Sequence, residues 1–216
     1  MRKHYLLICG LLILATLAAG LALYPHLPEK VPSHFDIHGR INGYTSRTLA
    51  VTLMPAIMTG MMLLFAVLPA ISPRHFEIDP FRSTYNYLVV VIMASMAYFH
   101  GIMLWAALSR SVPINRAFLG GICMLWVLMG NVIGKVRRNF FVGVRTPWTL
   151  ANEQVWYATH RFAARLWVWS GLACLLLAFV VPQPIVILAI LLTAALVPVI
   201  YSFVYYKRLE RHETQG

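Results

Sequence analysis

Acidic residues are the scarcest chemistry in this chain. Seven Asp and Glu stand against 18 Lys and Arg in 216 residues, and only 12% of all residues are charged. A soluble domain carries about 25% charged residues. With 60% apolar residues and a mean hydropathy of +0.71, the composition is that of a membrane protein and excludes a soluble enzyme. Cysteine is nearly absent too: Cys9, Cys123 and Cys174 all lie inside apolar runs, with no Cys-x-x-Cys pair, which argues against a disulfide framework or a zinc ribbon. No extended polar segment interleaves aromatic and basic residues in the way a nucleic-acid groove needs, so the net charge of +11 is read as membrane topology and direct nucleic-acid binding is not expected.

What is present is a set of long apolar runs, at about 5–24, 49–71, 85–108, 117–134, 163–181 and 185–206. Backbone groups in lipid must satisfy one another, and these runs lack the alternation of barrel strands, so each is predicted to be a transmembrane helix. The fold class is an all-α membrane bundle of six helices. The first run imitates a secretory leader, with Arg2 and Lys3 ahead of it, but at 20 residues it is long enough to span and is read as an uncleaved helix. Arg165, near the start of the fifth run, is expected to snorkel to the interface. Pro25, Pro28, Pro73, Pro182 and Pro184 fall between runs; Pro55 and Pro198 fall inside them, where neighbouring helices are expected to satisfy the freed carbonyls.

Thirteen of the 18 Lys and Arg lie at the N-terminus, in the second and fourth loops and in the tail, so both termini are predicted to be cytoplasmic, in a bacterial inner membrane. Two units are suggested: residues 1–71, a helix pair joined by an outer loop, and residues 72–216, four helices joined by a long basic cytoplasmic loop.

Three polar segments invite functional readings. In the first loop, His34, Asp36 and His38 alternate; on an extended strand they would share one face, as three ligands for a metal, while the competing reading is a compact cap whose Asp36 accepts backbone N–H groups. His100, in the outer part of the third run, would either reach that loop or bond a neighbouring helix. The second loop, with His75, Glu77 and Asp79 near Arg74 and Arg82, reads as a solvated, locally neutral connector. The fourth loop interleaves Lys135, Arg137, Arg138 and Arg145 with Phe140, Phe141 and Val144, which suits anionic lipid headgroups. Thr146-Pro147 looks like a helix start, after which Glu153, Trp156, His160 and Trp167 fall on one stripe. That stripe is either a binding face or an interfacial helix with Glu153 neutralised by Arg161 or Arg145. Without a nearby Ser or Cys nucleophile or a second carboxylate, catalysis is not expected there.

The stretch GNVIGKVRRNFFVGVRTPWTLANEQVWYATHR resembles the signature of the SdpI family of bacterial membrane immunity proteins. The resemblance falls on Gly130, Asn131, Arg138, Asn139, Phe141, Gly143, Arg145, Thr146, Pro147, Trp148, Thr149, Glu153, Trp156, His160 and Arg161. Upstream, VPSHFDIHGRINGY is similar to the short domain of unknown function often fused ahead of that signature, at Pro32, His34, Phe35, Asp36, Gly39, Gly43 and Tyr44; His38 has no place in that pattern. The resemblance implies a non-enzymatic, multi-pass protein without cofactor that protects its host from a membrane-active killing peptide. It implies a toxin peptide as partner outside and, in some systems, a repressor protein inside. A metalloenzyme using His34, Asp36 and His38 is the competing class. A small transporter is the third, with a pathway supplied by dimerisation through close-packing glycines such as Gly120, Gly121, Gly130 and Gly134.

Overall fold

The structure is a computed structural model that describes residues 2–109 and 113–213. Its order is α1 (Arg2–Leu23), β1 (Lys30–Phe35), β2 (Ile41–Ser46), α2 (Arg47–Val67), α3 (Arg82–Leu108), α4 (Ile114–Ile133), α5 (Pro147–Ala151), α6 (Glu153–Val180) and α7 (Pro184–Glu213), with single 3-10 turns at Tyr24–His26 and Asp79–Phe81. Among the described residues six helices are long and apolar enough to cross a membrane, all but α5. Large side chains such as Leu14, Trp169, Leu176 and Ile200 are more than half exposed on them, the surface a bilayer would cover.

Several helices outrun their apolar stretches. α6 starts ten residues before the fifth apolar run and, at 28 residues, is about 42 Å long, well beyond the ~30 Å hydrocarbon core. Its first turns therefore stand in the polar layer. Arg165 is exposed on it. The first loop is not irregular but an antiparallel hairpin, a small strand pair added to the helical bundle.

Consecutive helices pack in series, α1 on α2 and α3, α3 on α4, α4 on α6 and α6 on α7. The α4–α6 pair is the most intimate, because glycines let the backbones meet. A Cβ at Gly130 would sit 2.9 Å from Trp167 Cβ and from Val168 N, and one at Gly134 would sit 3.2 Å from Ala164 Cβ. The glycines considered for dimerisation are thus spent largely within the chain: Gly130 and Gly134 on α6, and Gly121 against Tyr98 and Phe99 of α3.

This winding gives the bundle two polar ends. One carries the hairpin, Ser109, Pro113 and Pro182; the other carries the helix ends that lead to residues 72–81, the fourth loop and both chain termini. They are called the hairpin side and the terminal side below. Arg110, counted among the basic residues of the hairpin side, lies outside the described residues. The larger core lies toward the terminal side, where Tyr5, Cys9, Met58, Tyr85, Ile133, Trp156 and Trp167 pack in one cluster; two smaller clusters support the hairpin side.

Pro198 shows how the helices compensate one another. A proline within a helix frees the carbonyl four residues earlier, here that of Ala194. The indole N–H of Trp167 on α6 donates to that oxygen at 3.0 Å.

Candidate functional site

The fourth loop folds into an ordered platform on the terminal side. After α4, Val136 is fully buried and its carbonyl accepts from the Trp156 indole N–H at 2.8 Å. Asn139, also fully buried, makes the next turn. Its Oδ1 accepts from the N–H groups of Phe141 and Val142 at 2.8 and 2.7 Å, and its Nδ2 donates to the carbonyls of Arg137 and Val142 at 2.7 and 3.0 Å. A carboxylate could not donate those two bonds, so the amide is the chemistry this turn needs.

Gly143 follows with φ +119°, and a Cβ there would run into His160 Nε2. The loop can then lay Val144 against the imidazole. Nε2 accepts the Val144 N–H at 2.9 Å, so Nδ1 carries the proton and donates to the Trp156 carbonyl at 2.8 Å. His160 is fully buried and stacked on Trp156 at 4.0 Å between ring centroids. It is a neutral strut between loop and helix.

Thr146 and Thr149 cap α5 reciprocally. Thr146 Oγ1 accepts from the Thr149 N–H at 3.2 Å, Thr149 Oγ1 accepts from the Thr146 N–H at 2.9 Å, and Pro147 occupies the first helical turn. Thr149 Oγ1 also donates to the Val144 carbonyl at 2.8 Å, and Thr146 Oγ1 lies 3.1 Å from Ser202 Oγ of α7. The helix expected to run on from Pro147 breaks at Asn152, whose extended backbone (φ −132°, ψ 124°) and side-chain oxygen cap α6 by accepting from Gln154 and Val155.

The arginines are anchors as much as charges. Arg138 donates to the Leu150 carbonyl at 3.1 Å and lies over the Phe76 ring; Arg137 donates to Tyr157 Oη at 2.6 Å; Arg145 donates to the Phe140 carbonyl. Phe76 in turn packs on Phe140 at 4.2 Å, and Ile78 and Phe81 are buried. The second loop is therefore a buttress under the platform through its apolar residues, while Arg74, His75, Glu77 and Asp79 stay exposed as a solvated connector requires. Its ion pair joins Arg82 to Asp79.

The resembling residues divide by burial. Gly130, Asn139, Thr146, Thr149, Trp156 and His160 are buried, Arg138, Phe141, Gly143 and Trp148 are half-buried, and Asn131, Arg145, Pro147, Glu153 and Arg161 are exposed. The stripe of Glu153, Trp156, His160 and Trp167 does not present a free face, because its last three members pack inside the bundle. Nor is Glu153 neutralised: no ion pair among the described residues joins it to Arg161 or Arg145. Sequence reading missed Phe76, Ser202 and Phe203, the last packed on Trp148 at 5.0 Å. Phe76 stood out only as an apolar residue among charges; no local signal pointed to Ser202, 56 positions from Thr146.

On the hairpin side, β1 ends at Phe35 and a turn takes residues 36–40. Asp36 Oδ1 accepts from the N–H groups of His38 and Arg40, both at 2.8 Å, and Gly39 turns the chain with φ +77°. The Arg40 N–H first, then that of His38, holds the Asp36 carboxyl below the ordinary value of 3.8. Alternation thus stops at Phe35, and His34, Asp36 and His38 do not share a face. His34 Nδ1 instead donates to Asn42 Oδ1 at 2.5 Å, and no group of three metal-capable side chains forms among the described residues. Phe35 leans on Phe118 of α4, Tyr44 is exposed, and a Cβ at Gly43 would meet His34 Cβ at 2.9 Å. His100 makes a hydrogen bond to neither the hairpin nor a helix: it is buried in α3 with no partner for either ring nitrogen among the described residues.

Comparison with known proteins meets this geometry segment by segment. Residues 135–202, from the platform to the middle of α7, match the SdpI/YfhL protein family. Residues 11–59, which contain the whole hairpin, match a domain of unknown function (DUF1648). Over 211 residues, 97% of this chain and 98% of the relative, the chain is 26% identical to the immunity protein SdpI of Bacillus subtilis (strain 168). No solved structure matches. The SdpI/YfhL segment begins just after Gly130 and Asn131 and takes in every other signature residue named above.

Proposed function

We propose that this chain is an SdpI-type immunity protein of a bacterial cytoplasmic membrane, without catalytic chemistry of its own, that protects its host against a membrane-active killing peptide. The likeness to an immunity protein along almost the whole chain carries the reading. The positive-inside distribution supports placing the platform and both termini in the cytoplasm and the hairpin outside.

In this reading the two polar ends divide the work. The hairpin faces the toxin, with Tyr44, Ile37 and Ile41 exposed as apolar contacts on a cationic loop. The platform offers Lys135, Arg137, Arg145 and Arg161 around the partly exposed Phe140, a surface suited to anionic headgroups or to an acidic patch on a repressor. The buried signature residues hold that surface in shape and do not themselves touch a partner.

The test is survival. A sensitive bacterial host expressing the chain should withstand a membrane-active killing peptide that kills the same host carrying an empty vector. Replacing residues 36–40 by a glycine-serine turn should abolish that protection while insertion into the membrane is retained. Failure to protect against any peptide in a broad panel overturns the immunity reading; protection that survives the loop replacement overturns the hairpin's part in it.

A further inference from the structure

Between the hairpin turn and the start of α4 lies a cleft of about 690 Å³ lined by His38, Arg40, Tyr44, Asn115 and Arg116 among others, with no acidic side chain in its wall among the described residues. Arg40 and Arg116 are both exposed, and neither is ion-paired among the described residues. α4 begins at the cleft from Pro113, with no side-chain cap and no acid in its first turn, so its leading N–H groups add partial positive charge to that of the guanidiniums. The cleft is shaped for an anion.

Pro113 and Arg116 also line a second space of about 720 Å³, an apolar groove running down α3 and α4 with Leu175 and Phe179 of α6 at its edge. Small residues, Ala94, Ala117, Gly120 and Gly121, are among those that line it. From Arg116 to Leu128 it follows α4 for twelve residues, about 18 Å, close to the ~15 Å depth of one leaflet's hydrocarbon and far short of the ~30 Å that a spanning peptide needs. A polar, cationic mouth continuous with an apolar groove one leaflet deep matches an amphiphile with an anionic head and a hydrocarbon tail.

We propose that this composite site holds one anionic phospholipid of the hairpin-side leaflet, its phosphate between Arg40 and Arg116 and an acyl chain along the α3–α4 groove. The lipid would tie the hairpin turn to the bundle at the point where Gly39 already abuts Asn115. The proposal stands apart from the immunity reading.

The test is native mass spectrometry of the full-length protein released from nanodiscs of equal phosphatidylglycerol and phosphatidylethanolamine. The parent should retain one phosphatidylglycerol in preference to phosphatidylethanolamine. The double variant Arg40→Ala, Arg116→Ala should lower that preference about tenfold, the loss expected for a charge-assisted phosphate contact. Gly120→Leu should displace both lipids, because a Cβ there meets only Leu175 at 4.0 Å and the longer side chain would enter the groove. Arg74→Ala with Arg208→Ala, exposed on the opposite side, should change nothing. Equal retention of the two lipids by the parent, or a preference that survives the arginine pair, overturns the proposal; so does an equal loss in the terminal-side control. The arginine pair alters exposed side chains and decides the question even if Gly120→Leu folds poorly.

Discussion

The hairpin and the platform are both polar, glycine-punctuated loops closing one end of a helical bundle, yet they are built on opposite plans. The hairpin organises itself: a strand ladder, an aspartate-capped turn and a glycine at positive φ use bonds between residues close in sequence, and apolar contacts such as those of Val31 and Phe35 anchor it in the bundle. The platform is organised by the bundle as well. Asn139, Thr146, Thr149 and His160 are buried polar groups; Asn139 and Thr149 bond within the loop, while His160 on α6 takes the Val144 N–H and Thr146 meets Ser202 on α7. Buried polar networks are costly when one member is lost and specify a single arrangement when all are satisfied. A loop of the first kind tolerates change at its tip; one of the second kind does not.

The sharpest way to break the comparison is His160→Ala. It orphans the Val144 N–H and the cap it supports and opens space beneath Trp156, and should cost about 3–5 kcal/mol in the thermal unfolding of the detergent-solubilised protein. His34→Ala, its counterpart in the hairpin, should leave the melting temperature unchanged. Equal effects would mean that the platform is no more cooperative than the hairpin.

Asn139→Asp sharpens the same point, since it keeps the shape but loses both donated bonds and places a charge in a fully buried turn. A loss of about 2–4 kcal/mol is expected, together with faster amide exchange at Phe141 and Val142. The matching change Asp36→Asn, which retains an acceptor oxygen at an exposed turn, should leave exchange elsewhere in the bundle untouched.

The next effect in size concerns the core below the platform. Trp167→Phe should cost about 1–3 kcal/mol by leaving the Ala194 carbonyl without its donor. In a Pro198→Ala background the helix supplies its own N–H, so the same substitution should cost measurably less. Simple additivity in that cycle would show that the indole bond does not answer the proline.

Acidification gives the smallest effect and picks out the hairpin alone. The Asp36 carboxyl is held below 3.8 in the folded turn, so its contribution is present above that pH and is lost as the pH falls through the lowered value. Hydrogen exchange at the His38 and Arg40 amides should accelerate in that range while the platform stays protected. Loss of both together would couple two ends that the structure keeps apart.

Much of this was legible beforehand. Six spans follow from hydrophobic length, the helix start at Thr146-Pro147 from its capping chemistry, and the compact-cap reading of Asp36 and Gly39 from turn preference, because each depends on neighbours in the chain. The metal face of His34, Asp36 and His38 failed because alternation was extended past Phe35 into a turn. The binding stripe on α6 failed for a different reason: spacing identifies which residues share a face, not what that face meets. Trp156 and His160 share theirs with the loop folded over them.

Composition and local pattern alone determined that this chain belongs in a membrane, how many times it can cross and where the platform helix α5 begins. Tertiary structure alone decided that His160 is a neutral strut, that Phe76 and Ser202 belong to the platform, that Gly130 and Gly134 pack helices within one chain, and that Arg40 and Arg116 line one cleft. Local order depends on torsional preference and on bonds a few residues apart, which the residues themselves carry. Burial and partnership depend on groups tens of positions away, and those are chosen only when the helices pack.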